Sequence, residues 1–239
     1  MASRQEEKEL RRKERLEREQ AAAKAAAARK RLQIALGVVL GLAIVAGLVV
    51  VAVVGLGGGS KNATGQPKQA SDVATGNIKL PQQQTSDMKA AAAAAGCTLN
   101  NPAVKGRNHE TKDFKASDYN SNPPTSGNHN PNWYDDGIYA PGTTPRLGML
   151  VHPLEHGRIE VQYKPGTPSA TVTQLEALLN EQSQGYHMLL FENTTNMPSQ
   201  VAATAWGHSV TCPKMNDKVF DALRTFRASY IDKGPEVVP

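Results

Sequence analysis

His129, His152 and His156 are three of the six histidines in a chain of 239 residues, and Glu155 sits among them. Imidazole is the commonest metal-binding side chain and titrates near neutrality, so such a group can hold a metal ion or move protons. The run His152-Pro153-Leu154-Glu155-His156 reads H-x-x-E-H, the inverted order of the zinc-protease motif. That chemistry needs a helix, which sets both histidines on one face with the glutamate as base. Pro153 inside the run, and Gly157 with an alternating apolar stretch directly after it, read against a helix. On a strand, positions 152 and 156 have the same parity and share a face. His129, reaching in from a preceding loop, completes a three-histidine set suited to zinc or copper. Glu155 then takes the opposite side, as a supporting or acid–base group with Ser126 and Tyr139. The same residues also admit a plainer role, a hydrogen-bonded His/Glu network that holds the loop on the sheet, because buried polar groups need partners. A Ser126 or Thr125 nucleophile with His129 or His156 and Glu155 is a third arrangement. However, Thr125-Ser126-Gly127 is not the G-x-S-x-G turn such a serine requires.

These side chains must be placed by their neighbours. Pro123-Pro124-Thr125-Ser126-Gly127 is turn chemistry, with φ fixed at the prolines and freed at the glycine. Residues 113–146 form a long polar stretch dense in Asn, Pro, Gly and Tyr, of a length that is uncommon in a compact domain unless it carries function. Trp133, Tyr134 and Tyr139 are expected to anchor it by burying aromatic surface. A strand is expected from Met149, with a bulge or bend at Gly157, continuing through Ile159, Val161 and Tyr163. Further elements follow from periodicity and stop signals. Ser86 caps a helix that Gly96 ends, a helix begins at Thr167 or Ser169, strands run over 187–191 and 201–206, and Asn216 caps a last helix with Val219, Leu223, Phe226 and Tyr230 on one face. The whole predicts an α+β class: a small mixed sheet with two or three helices, preceded by one transmembrane helix. His109, beside Glu110, and His208, after Trp206, read as surface residues, and Trp206 as core.

The formal charge of +5 comes entirely from residues 1–33, which hold eleven Lys or Arg and six Glu. The remainder is balanced, so a nucleic-acid partner is not indicated. Residues 34–56 are uncharged and nearly all apolar or Gly, long enough as a helix to cross a bilayer. Arg29, Lys30 and Arg31 precede them, so the bias of positive charge places the N-terminus in the cytoplasm and the rest outside, at the plasma membrane. Residues 1–33 read as a charged, Ala-rich cytoplasmic helix, 57–84 as a flexible linker, and 85–239 as one extracytoplasmic domain. Cys97 and Cys212 are the only cysteines. An even count in an oxidising compartment favours one disulfide, with two buried free thiols as the alternative.

The motifs Pro123-Pro124-Thr125-Ser126-Gly127-x-His129, Gly137-x-Tyr139, Leu150-Val151-His152-x-Leu154-Glu155-His156-Gly157 and Ala205-Trp206-Gly207 occur in that order. Together they resemble the DUF3105 family over roughly residues 85–239. The resemblance implies a mostly bacterial, often membrane-anchored protein of the cell envelope. It implies no activity, cofactor or protein partner.

Overall fold

A computed structural model of the chain describes residues 67–69, 78–144 and 146–236. The expected membrane span, residues 34–56, lies outside them, as do residues 1–33 and most of the linker. Among the described residues no helix is long and apolar enough to cross a membrane.

Six strands form one mixed sheet in the order β1-β6-β5-β3-β4-β2. They are β1 (Thr98–Asn100), β2 (Gly137–Ile138), β3 (Ile159–Tyr163), β4 (Met188–Glu192), β5 (Val201–Ala205) and β6 (His208–Cys212). The helices are α1 (Met88–Ala95), α2 (Leu147–Glu155), α3 (Ser169–Glu181) and α4 (Val219–Tyr230). The α+β class is therefore as expected, on a larger sheet. β3 pairs parallel with β4, a pairing that needs a crossover, and α3 supplies it. β3, β5, β6 and β1 pair antiparallel.

One face of the sheet is apolar. Ile159, Val161 and Tyr163 of β3 pack with Val201 and Ala203 of β5 against Leu175 and Leu178 of α3 and Leu223 and Phe226 of α4. Each α4 residue recurs at helical spacing on the expected stripe. α1 is capped by Asp87, one residue later than Ser86, with its carboxylate accepting from the Ala90 amide at 2.7 Å. Gly96 ends α1 in the left-handed region, at φ 70°. Directly after it, Cys97 forms a disulfide with Cys212 at the end of β6, across 115 residues. Closing a loop of that length contributes about 4–5 kcal/mol in the chain-entropy picture.

The other face is covered by residues 113–146 and α2, so all five residues of β3 are buried. Its polar residues form a continuous chain. Gln162 and Thr204 donate to Glu160 Oε2 at 3.1 and 3.3 Å, and Asn193 donates to Gln162 Oε1 at 2.8 Å. Asn193 also donates to Thr195 Oγ1, which in turn donates to Asn122 in the loop. Sheet and loop are thereby joined through hydrogen bonds as well as through two of the three aromatics expected to anchor the loop, Tyr139 and the partly buried Tyr134. Only Tyr139 is fully buried there, packed with Leu150, Leu189 and Phe191, whereas Trp133 is 46% exposed.

The strand expected from Met149 is instead the helix α2. Leu147, Leu150, Val151 and Leu154 recur at helical spacing, the last three are buried, and this packing outweighs the cost of Pro153 near the helix end. Gly157 closes α2 at φ 80°, donating its amide to the Leu154 carbonyl at 3.0 Å. It ends a helix rather than forming a bulge. β6 was not anticipated, and Trp206 lies in the turn before it, past the end of β5.

Glu160 gives a direct test of the covered face. It is fully enclosed, its Oε1 has no hydrogen-bond partner among the described residues, and burial raises its pKa well above the ordinary value. The folded chain therefore holds it neutral. As pH rises above about 4.5 the unfolded chain ionises first, and stability falls by about 1.4 kcal/mol per pH unit until the folded value is reached. Thermal unfolding of Glu160→Gln should show higher stability than the parent at pH 7 and loss of this decline. Equal destabilisation at every pH would contradict it.

Candidate functional site

The centre lies where α2 ends against the loop. His152 and Glu155 of α2 and His156 at its C-cap are spaced i, i+3 and i+4 and so converge on one side. His129 arrives from the loop and is fully buried. Its Nδ1 lies 2.8 Å from the Gly127 carbonyl. A carbonyl only accepts, so Nδ1 carries the proton and the Nε2 lone pair points inward. His152 repeats the arrangement, with Nδ1 donating to the Asn130 carbonyl at 2.7 Å. Gly127 makes this geometry accessible: it sits at φ 136°, and an added Cβ would meet the Tyr119 ring at 2.9 Å.

What the lone pairs face sets the chemistry. His129 Nε2 lies 3.1 Å from Glu155 Oε2 and has no donor to it. An ionised carboxylate and a neutral imidazole nitrogen both accept, so a cation must bridge them: a proton or a metal ion. His152 Nε2 lies 3.0 Å from His156 Nε2, and His156 Nδ1 is buried without a partner. Burial lowers the pKa of His129, His152 and His156, the last to about 4, with the neighbouring His152 adding to its shift. All three are thus neutral, metal-competent donors at pH 7. Burial, then Glu236, raises the pKa of Glu155, against the pull of His109 and Arg107.

Two residues join this group that sequence reasoning passed over. His109 Nε2 is 3.6 Å from Glu155 Oε2, and its ring stacks on His152 with centroids 4.6 Å apart. A parallel bridge between His109 and His129 fixes it there, with the His129 amide donating to Asn108 at 3.0 Å and the Glu110 amide to His129 at 2.8 Å. Glu236, near the end of the described residues, places Oε2 3.4 Å from His156 Nε2. Donor atoms of His109, His129, His152 and Glu155 lie within 4.8 Å of one another, and so do those of His152, His156 and Glu236. The expected trio is therefore divided: His129 and His152 share one set, His152 and His156 the other.

The remaining residues take different places. Ser126 Oγ is fully buried without a hydrogen-bond partner among the described residues. Tyr139 donates its hydroxyl to the Asp135 carbonyl at 2.7 Å and serves the apolar cluster with Leu150. Trp206 meets His129 edge-on at 6.0 Å, and Trp133 covers His152 and His156 at 4.9 and 5.0 Å. His208 is bonded to Asn101 and stacked on Tyr230, so it has no part in the cluster. With α2 a helix, the H-x-x-E-H motif has the backbone it needs. Glu155, however, is engaged by His129, His109 and, at 4.0 Å, Arg107, so it is not free to serve as a base.

In class this is a small α+β domain built around an inward-facing histidine–carboxylate cluster. Residues 110–238 match the family described as Protein of unknown function (DUF3105), and the chain belongs to that family. No curated protein and no solved structure matches the chain.

Residues 232–236 depend on Gly157 for their path. The Asp232 amide donates to the Gly157 carbonyl at 2.9 Å, and a Cβ at Gly157 would lie 2.8 Å from Asp232 Cα. Gly157→Ala adds left-handed strain to that clash. It should cost about 2 kcal/mol or more, measured as a lower urea midpoint at unchanged slope. A midpoint within about 0.5 kcal/mol of the parent would contradict the packing described.

Proposed function

We propose that this is a membrane-tethered, extracytoplasmic domain that binds one transition-metal ion, zinc or copper, through His109, His129, His152 and Glu155, with His156 and Glu236 beside them. The tether rests on residues 34–56 and the basic flank before them. The metal reading rests on one observation: the Gly127 and Asn130 carbonyls pin Nδ1–H of His129 and His152, so His129 Nε2 faces the Glu155 carboxylate at 3.1 Å and His152 Nε2 lies within 4.8 Å of both. Metal-binding histidines are held in this way, the outer hydrogen bond fixing tautomer and ring angle. Imidazole and carboxylate donors suit zinc or copper(II), and both cysteines are consumed in the disulfide.

A second reading has its own support. The raised pKa of Glu155 favours a proton on the carboxyl, which would then donate to His129 Nε2. The cluster would be a hydrogen-bond network that holds the loop, in a domain of the envelope that interacts with partners and carries no metal.

The full chain, purified without chelator or immobilised nickel, separates the two by elemental analysis. About one zinc or copper per chain is expected, lost in a His129→Ala His152→Ala variant that keeps its circular dichroism spectrum. A parent chain that carries no metal, and takes up none on addition of zinc or copper, would sink the metal reading.

A further inference from the structure

The two donor sets share a single nitrogen. His152 Nδ1 is occupied by its bond to the Asn130 carbonyl at 2.7 Å, so the ring offers only Nε2. One lone pair takes one ion. Yet that same Nε2 belongs both to the set with His109, His129 and Glu155 and to the set with His156 and Glu236, each within 4.8 Å. Both sets cannot be filled through His152 at once.

We infer that one ion alternates between these two positions with His152 as the pivot, so that the centre is built to pass a zinc or copper(II) ion on rather than to lock it in place. This rests on the metal reading above. The sets differ in the direction transfer requires. Three imidazoles and a carboxylate form the inner position, and a four-donor set holds an ion more firmly than the three donors of the outer one. The outer position is completed by Glu236, whose side chain is 49% exposed. Glu236 is carried on residues 232–236, which are tied to the end of α2 by backbone bonds from Asp232 to Gly157 at 2.9 Å and Glu236 to Glu155 at 3.1 Å, while the Asp232 carboxylate pairs with His187 Nδ1 at 2.6 Å. The half-exposed Trp133 lies over His152 and His156, on the outer position. On this path an ion is taken first at Glu236 with the buried His156 behind it, stays bound to His152 while those two release it, and is then gathered by His129, Glu155 and His109, whose own side chain is 45% exposed. Delivery reverses the steps, to an acceptor that offers nitrogen or oxygen donors.

Copper(II) added to the metal-free full chain, freeze-quenched at successive times, tests this by electron paramagnetic resonance. The oxidation state does not change, and hyperfine structure counts the bound nitrogens. The earliest signal should carry two nitrogens and convert to a three-nitrogen signal at one copper per chain. A His156→Gln Glu236→Gln variant should lose the early signal and load at least about tenfold more slowly. A three-nitrogen signal alone from the first time point would overturn the inference while leaving one-ion binding intact. Two coppers held together would overturn it as well. Absence of any nitrogen-coupled copper would overturn the metal reading together with it.

Discussion

Two backbone carbonyls, those of Gly127 and Asn130, fix the orientation of two buried imidazoles, and the rest of the centre depends on that constraint. A histidine with a free Nδ1 could rotate or change tautomer and satisfy itself elsewhere. With Nδ1–H held, His129 and His152 can only turn Nε2 toward Glu155 and His156. His129 Nε2 then faces the Glu155 carboxylate at 3.1 Å without a donor, which left unfilled is unfavourable by about 1–3 kcal/mol.

The scaffold reads as support for those two carbonyls. Gly127 and Asn130 both belong to the loop, and the loop is held by polar contacts to the sheet it covers. Asn122 is bonded to Thr195, Thr195 to Asn193, Asn193 to Gln162, and Gln162 to Glu160. The Gly207 amide donates to the Thr125 carbonyl at 2.9 Å, tying the next stretch of loop to the turn between β5 and β6. The Asn130 amide donates to Gly148 at 3.1 Å and so fastens the loop to the start of α2, the helix that carries His152. The acceptor for His152 and the backbone of His152 are therefore part of one bonded unit. On the far face, an apolar core and a disulfide give the sheet its rigidity.

How much of this was legible in the sequence follows the range of the interactions. The α+β class, α3, α4, the Gly96 stop and the Cys97–Cys212 pairing rest on local periodicity, a stop signal and cysteine count, and the structure has them, whereas the N-caps expected at Ser86 and Asn216 fall instead at Asp87 and Lys218. α2 reads as a strand although Leu147, Leu150, Val151 and Leu154 carry the helical period, because Pro153 and the alternating run after Gly157 both speak against a helix. His129, His152, His156 and Glu155 were recognised by residue type. Their division into two sets was not, because it depends on helical rather than strand geometry at positions 152 to 156. His109 and Glu236 left no local signal. One is placed by a backbone bridge to His129, the other by a tail that turns around Gly157, and neither contact has a periodicity to read.

The tautomers of His129 and His152 carry the whole account, and nitrogen-15 NMR of the imidazoles reads them directly. In the metal-free chain at neutral pH, both rings should show Nδ1 protonated and Nε2 as an unprotonated acceptor, and one equivalent of zinc should shift both Nε2 resonances with no change at Nδ1. Protons on Nε2 in the metal-free chain, or Nε2 resonances that ignore zinc, would contradict it.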